Sequence, residues 1–176
     1  CLLSRGLGDV YKRQLQGGTP GPEHMAQLPW LGATLKEALR LYPPIAALMS
    51  RRTTAPITLG GVQVPQGAML RITPWVLHRD ARWFAESDRF VPERFLDGAP
   101  SIPRGAWIPF GLGPRVCIGQ HFAMLEMTLL AAMLLQRYTV RLPVGGAVGA
   151  PRFQVTLRPE GASALWLQRR DTRQGR

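Results

Sequence analysis

The sequence predicts a mainly α fold with small β-sheets, an α+β arrangement, from three observations. Residues 119–136 are dense in Ala, Met and Leu and are predicted to form a buried helix of about five turns. Residues 31–41 repeat apolar side chains at helical spacing. Residues 57–72 carry short β-favouring runs separated by turn sequences. With 176 residues, the chain can bury one hydrophobic core.

The first predicted helix has Pro29 near its first turn, which suits a helix start. It stops at the Tyr-Pro-Pro sequence of residues 42–44, because proline cannot continue a helix. Glu37 and Arg40 are three positions apart and therefore share a face. An isolated pair of this kind can equally be an exposed ion pair that contributes only a few tenths of a kcal/mol.

The next elements are predicted strands. Residues 57–64 indicate a hairpin with Gly-Gly at its turn, and residues 68–72 indicate another strand after a Pro-Gln-Gly turn. We expect His78, which follows this region, to be a surface or strand-end histidine. Residues 139–167 alternate loosely between turn sequences and are predicted to form the terminal strands.

One loop carries most of the chemical information: residues 110–119 read Phe-Gly-Leu-Gly-Pro-Arg-Val-Cys-Ile-Gly. Cys117 ends a Gly/Pro-constrained loop directly before the long apolar helix, whose positive end would favour a metal-ligating thiolate. A small buried hydrophobic cysteine is the ordinary alternative. Structural zinc needs about four Cys or His ligands, and the three histidines, His24, His78 and His121, have no ligand spacing.

The pattern Phe-x-x-Gly-x-Arg-x-Cys-x-Gly resembles the haem-ligand loop of the cytochrome P-450 family, the haem-thiolate monooxygenases. Glu-x-x-Arg followed by Leu-Tyr-Pro-Pro is similar to that family's K helix, and residues 90–95 (Phe-Val-Pro-Glu-Arg-Phe) resemble its Pro-Glu-Arg-Phe segment. The resemblance implies the C-terminal part of that fold over residues 15–170: K helix, β-sheet region, Cys loop, long L helix and terminal strands.

The resemblance also assigns roles to individual residues. Cys117 becomes the iron ligand of haem b (iron protoporphyrin IX), Arg115 a propionate anchor, and Phe110 a side chain that packs near the sulfur. Gly113 and Gly119 would allow unusual backbone angles and a close approach of the macrocycle. Arg51 stands at a second propionate-binding position, although a solvated arginine is as good an interpretation and Arg52 could take the place instead.

Two further groups of residues follow from the resemblance. Glu37, Arg40 and Arg94 would form a buried structural charge triad beside the haem loop. The positions that would face the substrate are apolar, as an ordinary core strand would also be; they are Ile45, Ala46, Ala47, Leu48, Met49 and, in the terminal hairpin, Val155.

The implied function is the O2-dependent oxidation of a lipophilic organic substrate with electrons from a ferredoxin, flavodoxin or reductase. No flavin or nicotinamide fingerprint is present, and no catalytic residue can be assigned because the family's distal helix is absent from the sequence. Three alternatives stay open: a peroxide-using or isomerising relative, a truncated fragment that is inactive alone, and a non-catalytic domain whose Cys117 is merely buried.

The net charge of +11 comes almost wholly from arginine. Nucleic-acid binding is not expected, because no clustered basic stripe with interleaved aromatics is present. Arginine bias from a GC-rich genome would explain the charge. A basic surface for an acidic electron donor, with Arg104, Arg115 and Arg137 as candidates, is the functional explanation.

The termini carry separate expectations. Residues 1–14 resemble a translated sequencing adapter and are expected to be non-native, and residues 171–176 are expected to be a frayed basic tail. Excluding Cys1 leaves a single cysteine, which fits a reducing compartment. We therefore expect a cytoplasmic, bacterial protein, with a membrane anchor upstream not excluded.

Overall fold

The computed structural model describes Gly18, residues 20–161 and residues 164–170. The predictions for residues 1–14 and 171–176 lie outside the described residues. The helices are α1 (Pro29–Leu41), α2 (Pro74–Leu77) and α3 (Gln120–Arg137), with 3-10 turns at Pro22–Gln27, Pro92–Phe95 and Gly113–Arg115. The strands are β1 (Arg51–Arg52), β2 (Ile57–Leu59), β3 (Val62–Val64), β4 (Met69–Leu70), β5 (Tyr138–Arg141), β6 (Pro151–Phe153), β7 (Leu157–Pro159) and β8 (Trp166–Arg169).

The strands form antiparallel pairs that are nested along the chain. β1 pairs with β4 and encloses the hairpin of β2 and β3. β5 pairs with β8 and encloses the hairpin of β6 and β7. Gly60 and Gly61 have φ angles of 55° and 81°, as a two-residue hairpin turn with both central residues at positive φ requires. The predicted first hairpin is therefore confirmed, and the predicted strand 68–72 is shorter than expected.

The hydrophobic core lies where α1 meets α3. Leu28 and Leu31 pack with Ala132, and partly buried leucines and alanines of both helices surround them. α1 also contacts the 3-10 turn Pro92–Phe95, which comes more than fifty residues later in the chain. This packing places the Pro-Glu-Arg-Phe segment against Glu37 and Arg40.

The prediction that the second long helix is buried was wrong. Thr128 and Ala132 are the buried residues of α3, whereas the side chain of Phe122 is 69% exposed and that of Leu130 is 59% exposed. The reason is that, among the described elements, α3 is contacted mainly by α1, the first 3-10 turn and β5, which leave much of its surface uncovered. In the part of the chain that the structure describes, no helix has the length and apolar character needed to cross a membrane.

Candidate functional site

The cysteine loop, residues 110–119, is closed by its own backbone hydrogen bonds. The Cys117 N–H donates to the carbonyl of Phe110 at 2.9 Å, and the Gly111 N–H donates to the carbonyl of Ile108 at 3.0 Å. The loop then passes through the 3-10 turn Gly113–Arg115 and reaches Cys117 three residues before α3 begins. The position of the sulfur is thus set by the loop itself.

Two glycines give the loop its shape, and only one of them was predicted. Gly113 has a φ of 76° and Gly111 a φ of 79°, in the region that side chains disfavour. Gly119 has a φ of −87°, so the expectation of an unusual backbone angle there was wrong. A Cβ at Gly119 would lie 4.0 Å from the Cys117 sulfur, so the small residue leaves room beside the sulfur.

The Cys117 side chain is free and exposed, and several nearby residues in the sequence are exposed and apolar. Leu112, Val116 and Ile118 in the loop are exposed, as is Phe122 in the first turn of α3. Contiguous exposed apolar residues on a soluble protein commonly mark a binding surface. The buried-cysteine alternative is therefore wrong in this structure, because Cys117 is exposed.

The side chains around Cys117 suit a metal ion whose other ligands come from a cofactor and not from the protein. No group of three His, Cys, Asp or Glu side chains that could hold a metal ion occurs among the described residues. A structural zinc site needs about four such ligands. Haem iron needs one axial ligand from the protein on this side, and its flat apolar ring matches the apolar surface around the sulfur.

The two predicted propionate anchors have different environments. Arg115 is exposed in the cysteine loop and forms no ion pair with any residue that the structure describes. Arg51 is also exposed, but its guanidinium donates to the carbonyls of Met49 and Ser50 at 3.0 and 3.2 Å. Arg115 is therefore the better candidate of the two to bind a propionate carboxylate.

Glu37, Arg40 and Arg94 are brought together and form what we call the ion-pair cluster. Arg40 and Glu37 are fully buried and bonded through two parallel contacts of 2.7 and 2.8 Å. The Nε of Arg94 lies 3.4 Å from the Glu37 carboxylate. The N–H of Val91 also donates to that carboxylate, at 2.8 Å. Bidentate pairs of this geometry are the stronger kind of charged contact.

Arg40 uses every donor that it has. A guanidinium has five N–H groups. Two donate to Glu37, and three donate to the carbonyls of His78, Ser87 and Arg89 at 2.7, 2.6 and 2.9 Å. A single buried side chain therefore holds residues 78–89 against α1.

His78 was predicted wrongly, because it is completely buried rather than at the surface or at the end of a strand. Its Nδ1 lies 3.1 Å from the carbonyl of Arg40, and its Nε2 accepts the N–H of Ile108 at 2.8 Å. Burial lowers its pKa from 6.5 to about 4; the hydrogen bond to Arg40 opposes this shift, and the charges of Arg40 and Arg79 add to it. His78 is therefore neutral at pH 7.

The predicted substrate-facing residues divide into two groups. Ala46 belongs to the buried core, and its carbonyl accepts the N–H of Trp75. Ile45 and Met49 are exposed, and Ala47 and Leu48 are partly buried. Val155 is exposed in the turn between β6 and β7, and that hairpin is tied back to the same segment by the Leu157 N–H, which donates to Pro44.

Comparison with known proteins identifies the family. The family model described as cytochrome P450 (cytochrome P-450 below) matches residues 12–166 of the chain. The chain belongs to the cytochrome P-450 family. The motif residues at Glu37, Arg40, Arg94 and Cys117 all lie within the matched region.

Relatives in this family are similar over most of the chain. Cytochrome P-450 734A6 of Oryza sativa subsp. japonica is 40% identical over 161 residues, which are 89% of this chain and 29% of that protein. Cyclooctatin synthase of Streptomyces melanosporofaciens is 40% identical over 81% of this chain and 31% of that protein. The chain thus spans less than a third of the length of these P-450 relatives. Because they include plant proteins, the expectation of a bacterial source is not supported.

Solved P-450 structures have the same fold in this region. A zebra fish cytochrome P-450 with abiraterone superposes with a TM-score of 0.84 at 28% identity, covering 96% of this chain and 41% of that one. A zebra fish cytochrome P-450 with progesterone gives 0.83 at 29% identity, over 96% and 38% of the two chains. The predicted fold class is therefore confirmed as part of the P-450 fold.

Proposed function

We propose that this chain provides the haem-binding part of a haem-thiolate monooxygenase that oxidises a lipophilic substrate with O2. The observation that carries the proposal is the exposed Cys117 thiol near the end of the self-closed cysteine loop, flanked by the exposed apolar residues Val116 and Ile118. When bound at this loop, haem would supply the activation of molecular oxygen. The whole protein's reaction belongs to the proposal, since the chain spans under a third of its P-450 relatives.

The residues of the loop would bind and shield the cofactor. Cys117 would hold the iron through its sulfur as a thiolate, the form in which cysteine binds metals. Arg115 would bind a propionate carboxylate, to which its planar donor fork is matched. Leu112, Val116 and Phe122 would exclude water from the ring face, because their exposed apolar surface becomes buried on contact.

The ion-pair cluster would act as a structural support and would take no part in the reaction. In its Glu37–Arg40 pair, both oxygens of Glu37 and all five donors of Arg40 have partners inside the protein. A group with no free donor or acceptor has nothing to offer a substrate. It can, however, fix the segments that lead to the cysteine loop.

A lipophilic substrate is supported by the segment after α1 and the terminal hairpin. Ile45 and Met49 expose apolar side chains there, and so does Val155. A cavity of about 340 Å³ is lined by Tyr42, which directly follows α1, and by Leu157 of the terminal hairpin. Small-molecule sites are commonly cavities of about 300–1,000 Å³ with mainly apolar walls.

A basic surface would receive the electron donor. Arg104, Arg115 and Arg137 are all exposed. Complementary charge steers association and makes its rate depend on salt. The rate of reduction by an acidic ferredoxin or flavodoxin should therefore fall as ionic strength rises. A rate that is independent of salt would contradict a charge-steered donor.

The carbon monoxide spectrum of the reduced, full-length haem protein tests the proposed function. Thiolate ligation gives a strongly red-shifted Soret band, which we expect in the wild type and not in Cys117→Ser. Ser101→Ala, at an exposed position in the segment that precedes the loop, is the control and should keep the band. A wild type without this band, or a Cys117→Ser variant that keeps it, would overturn the proposal.

A further inference from the structure

His78 lies between the ion-pair cluster and the segment that leads into the cysteine loop. It directly follows the one-turn helix α2, and its N–H donates to the carbonyl of Pro74 at 2.8 Å. Its ring is completely buried and reaches two partners that are distant in sequence, Arg40 by 38 residues and Ile108 by 30 residues. The ring therefore joins three segments of the chain at one buried point.

The partners of the ring fix its protonation. The carbonyl of Arg40 can only accept, so Nδ1 must carry the proton. The N–H of Ile108 can only donate, so Nε2 must offer its lone pair. One neutral tautomer of the imidazole satisfies both bonds.

Hydrogen bonds continue from His78 on both sides. On one side, Arg40 donates to the His78 carbonyl while the Arg40 carbonyl accepts from the His78 ring, so the two residues are bonded in both directions. On the other side, the carbonyl of Ile108 accepts the Gly111 N–H, and the carbonyl of Phe110 accepts the Cys117 N–H. The imidazole of His78 thereby connects the ion-pair cluster to the backbone of Cys117, the candidate iron ligand.

We propose that His78 is a positioning residue that fixes the base of the cysteine loop, and through it the Cys117 sulfur, against the ion-pair cluster. This inference rests on the proposed function, because it concerns the geometry of haem ligation. Loss of the imidazole would release the Ile108 N–H, leave a buried donor unpaired and allow the base of the loop to move. A purely structural residue would lower stability without affecting ligation.

Three substitutions in the full-length haem protein separate positioning from stability. His78→Phe keeps a ring of similar size and removes both hydrogen bonds; His78→Leu repeats the test in case the Phe variant does not fold. His78→Gln retains an amide oxygen and an amide NH2 and is the rescue variant. Thr53→Val is the control: its buried hydroxyl donates to Pro65 and accepts from Ala68, in the β1–β4 region outside this connection.

The readouts are the rate of haem transfer to a haem-scavenging apoprotein, the thiolate-ligated fraction in the carbon monoxide spectrum, and the urea midpoint. We expect His78→Phe to lose haem about tenfold faster than wild type, with a smaller thiolate fraction, because the buried Ile108 N–H loses its acceptor. His78→Gln should lie between the two. Thr53→Val should lower the urea midpoint while its haem loss and thiolate fraction stay at wild-type values.

Two results would overturn the inference: wild-type haem retention and ligation in His78→Phe or His78→Leu, or equal losses in Thr53→Val. A wild-type protein that shows no thiolate band at all would instead overturn the proposed function, so the two failures can be told apart.

Discussion

The ion-pair cluster and the cysteine loop are built in opposite ways. The cluster is buried, and every strong donor and acceptor in its Glu37–Arg40 pair is satisfied by the chain itself. The loop has an equally defined backbone, but it turns its thiol and apolar side chains outward. The difference indicates that the cluster stabilises the fold, whereas the loop presents groups that can bind a ligand.

Removing the centre of the cluster should have the largest effect. Arg40→Ala leaves the Glu37 charge buried with fewer partners and takes the donor from three buried or partly buried carbonyls. Breaking a buried ion pair on one side costs about 3–5 kcal/mol. We expect a loss of this size in the free energy of unfolding, measured in urea, together with loss of haem incorporation.

The matched control is Arg82→Ala, which removes an exposed arginine paired with Asp80. It should leave haem content unchanged. A normal haem spectrum in Arg40→Ala would show that haem binding by the loop does not depend on the cluster, and would contradict the supporting role of the cluster.

Acid should destabilise the fold through His78, which is hydrogen-bonded to Arg40 of the cluster. The unfolded chain protonates this histidine near its ordinary pKa of 6.5, whereas the folded chain does so only near a pKa of about 4. Between these values the unfolded state binds more protons, so the free energy of unfolding falls as pH falls from 6.5 towards 4. The loss attributable to His78 is about 3 kcal/mol at most.

Urea unfolding at a series of pH values measures this dependence. His78→Gln has no titrating group at this position, so its profile should be flatter than that of the wild type between pH 6.5 and 4. Parallel profiles for the two proteins would mean that His78 titrates normally and is not held in the neutral form.

A smaller effect tests whether the loop is shaped in advance. Gly111→Ala places a Cβ on a residue with a φ of 79°, which costs about 1–2 kcal/mol in this backbone region. Its Cβ would meet only the backbone of Arg115 and Val116, the nearest atom being the Arg115 carbonyl oxygen at an ordinary contact distance of 3.8 Å, so backbone strain alone is tested. We expect the urea midpoint and the haem affinity to fall together.

Gly32→Ala is the control for the same change of side chain. Gly32 lies inside α1, and a Cβ added there would have nothing within 4 Å, so alanine should stabilise the helix by up to about 1 kcal/mol. If Gly111→Ala were as stable as Gly32→Ala, the loop would not require a glycine for the positive φ at position 111.

The sequence predicts local features of this molecule better than long-range ones. Apolar spacing located α1 and α3, and Gly60-Gly61 located the first hairpin, because each signal lies within one short window. His78 was missed because both partners of its ring lie 30 or more residues away, and nothing beside it in the sequence indicates burial. The exposure of α3 was missed because an apolar composition predicts burial but does not show which elements, if any, pack against the helix.

Iron K-edge X-ray absorption on the haem-loaded, full-length protein tests the central claim most directly, since it detects the atoms bound to the metal. We predict a sulfur atom in the first coordination shell of the wild type, and its replacement by a lighter atom in Cys117→Ser. A wild-type iron without sulfur, or an unchanged sulfur signal in the variant, would contradict the assignment of Cys117 as the haem ligand.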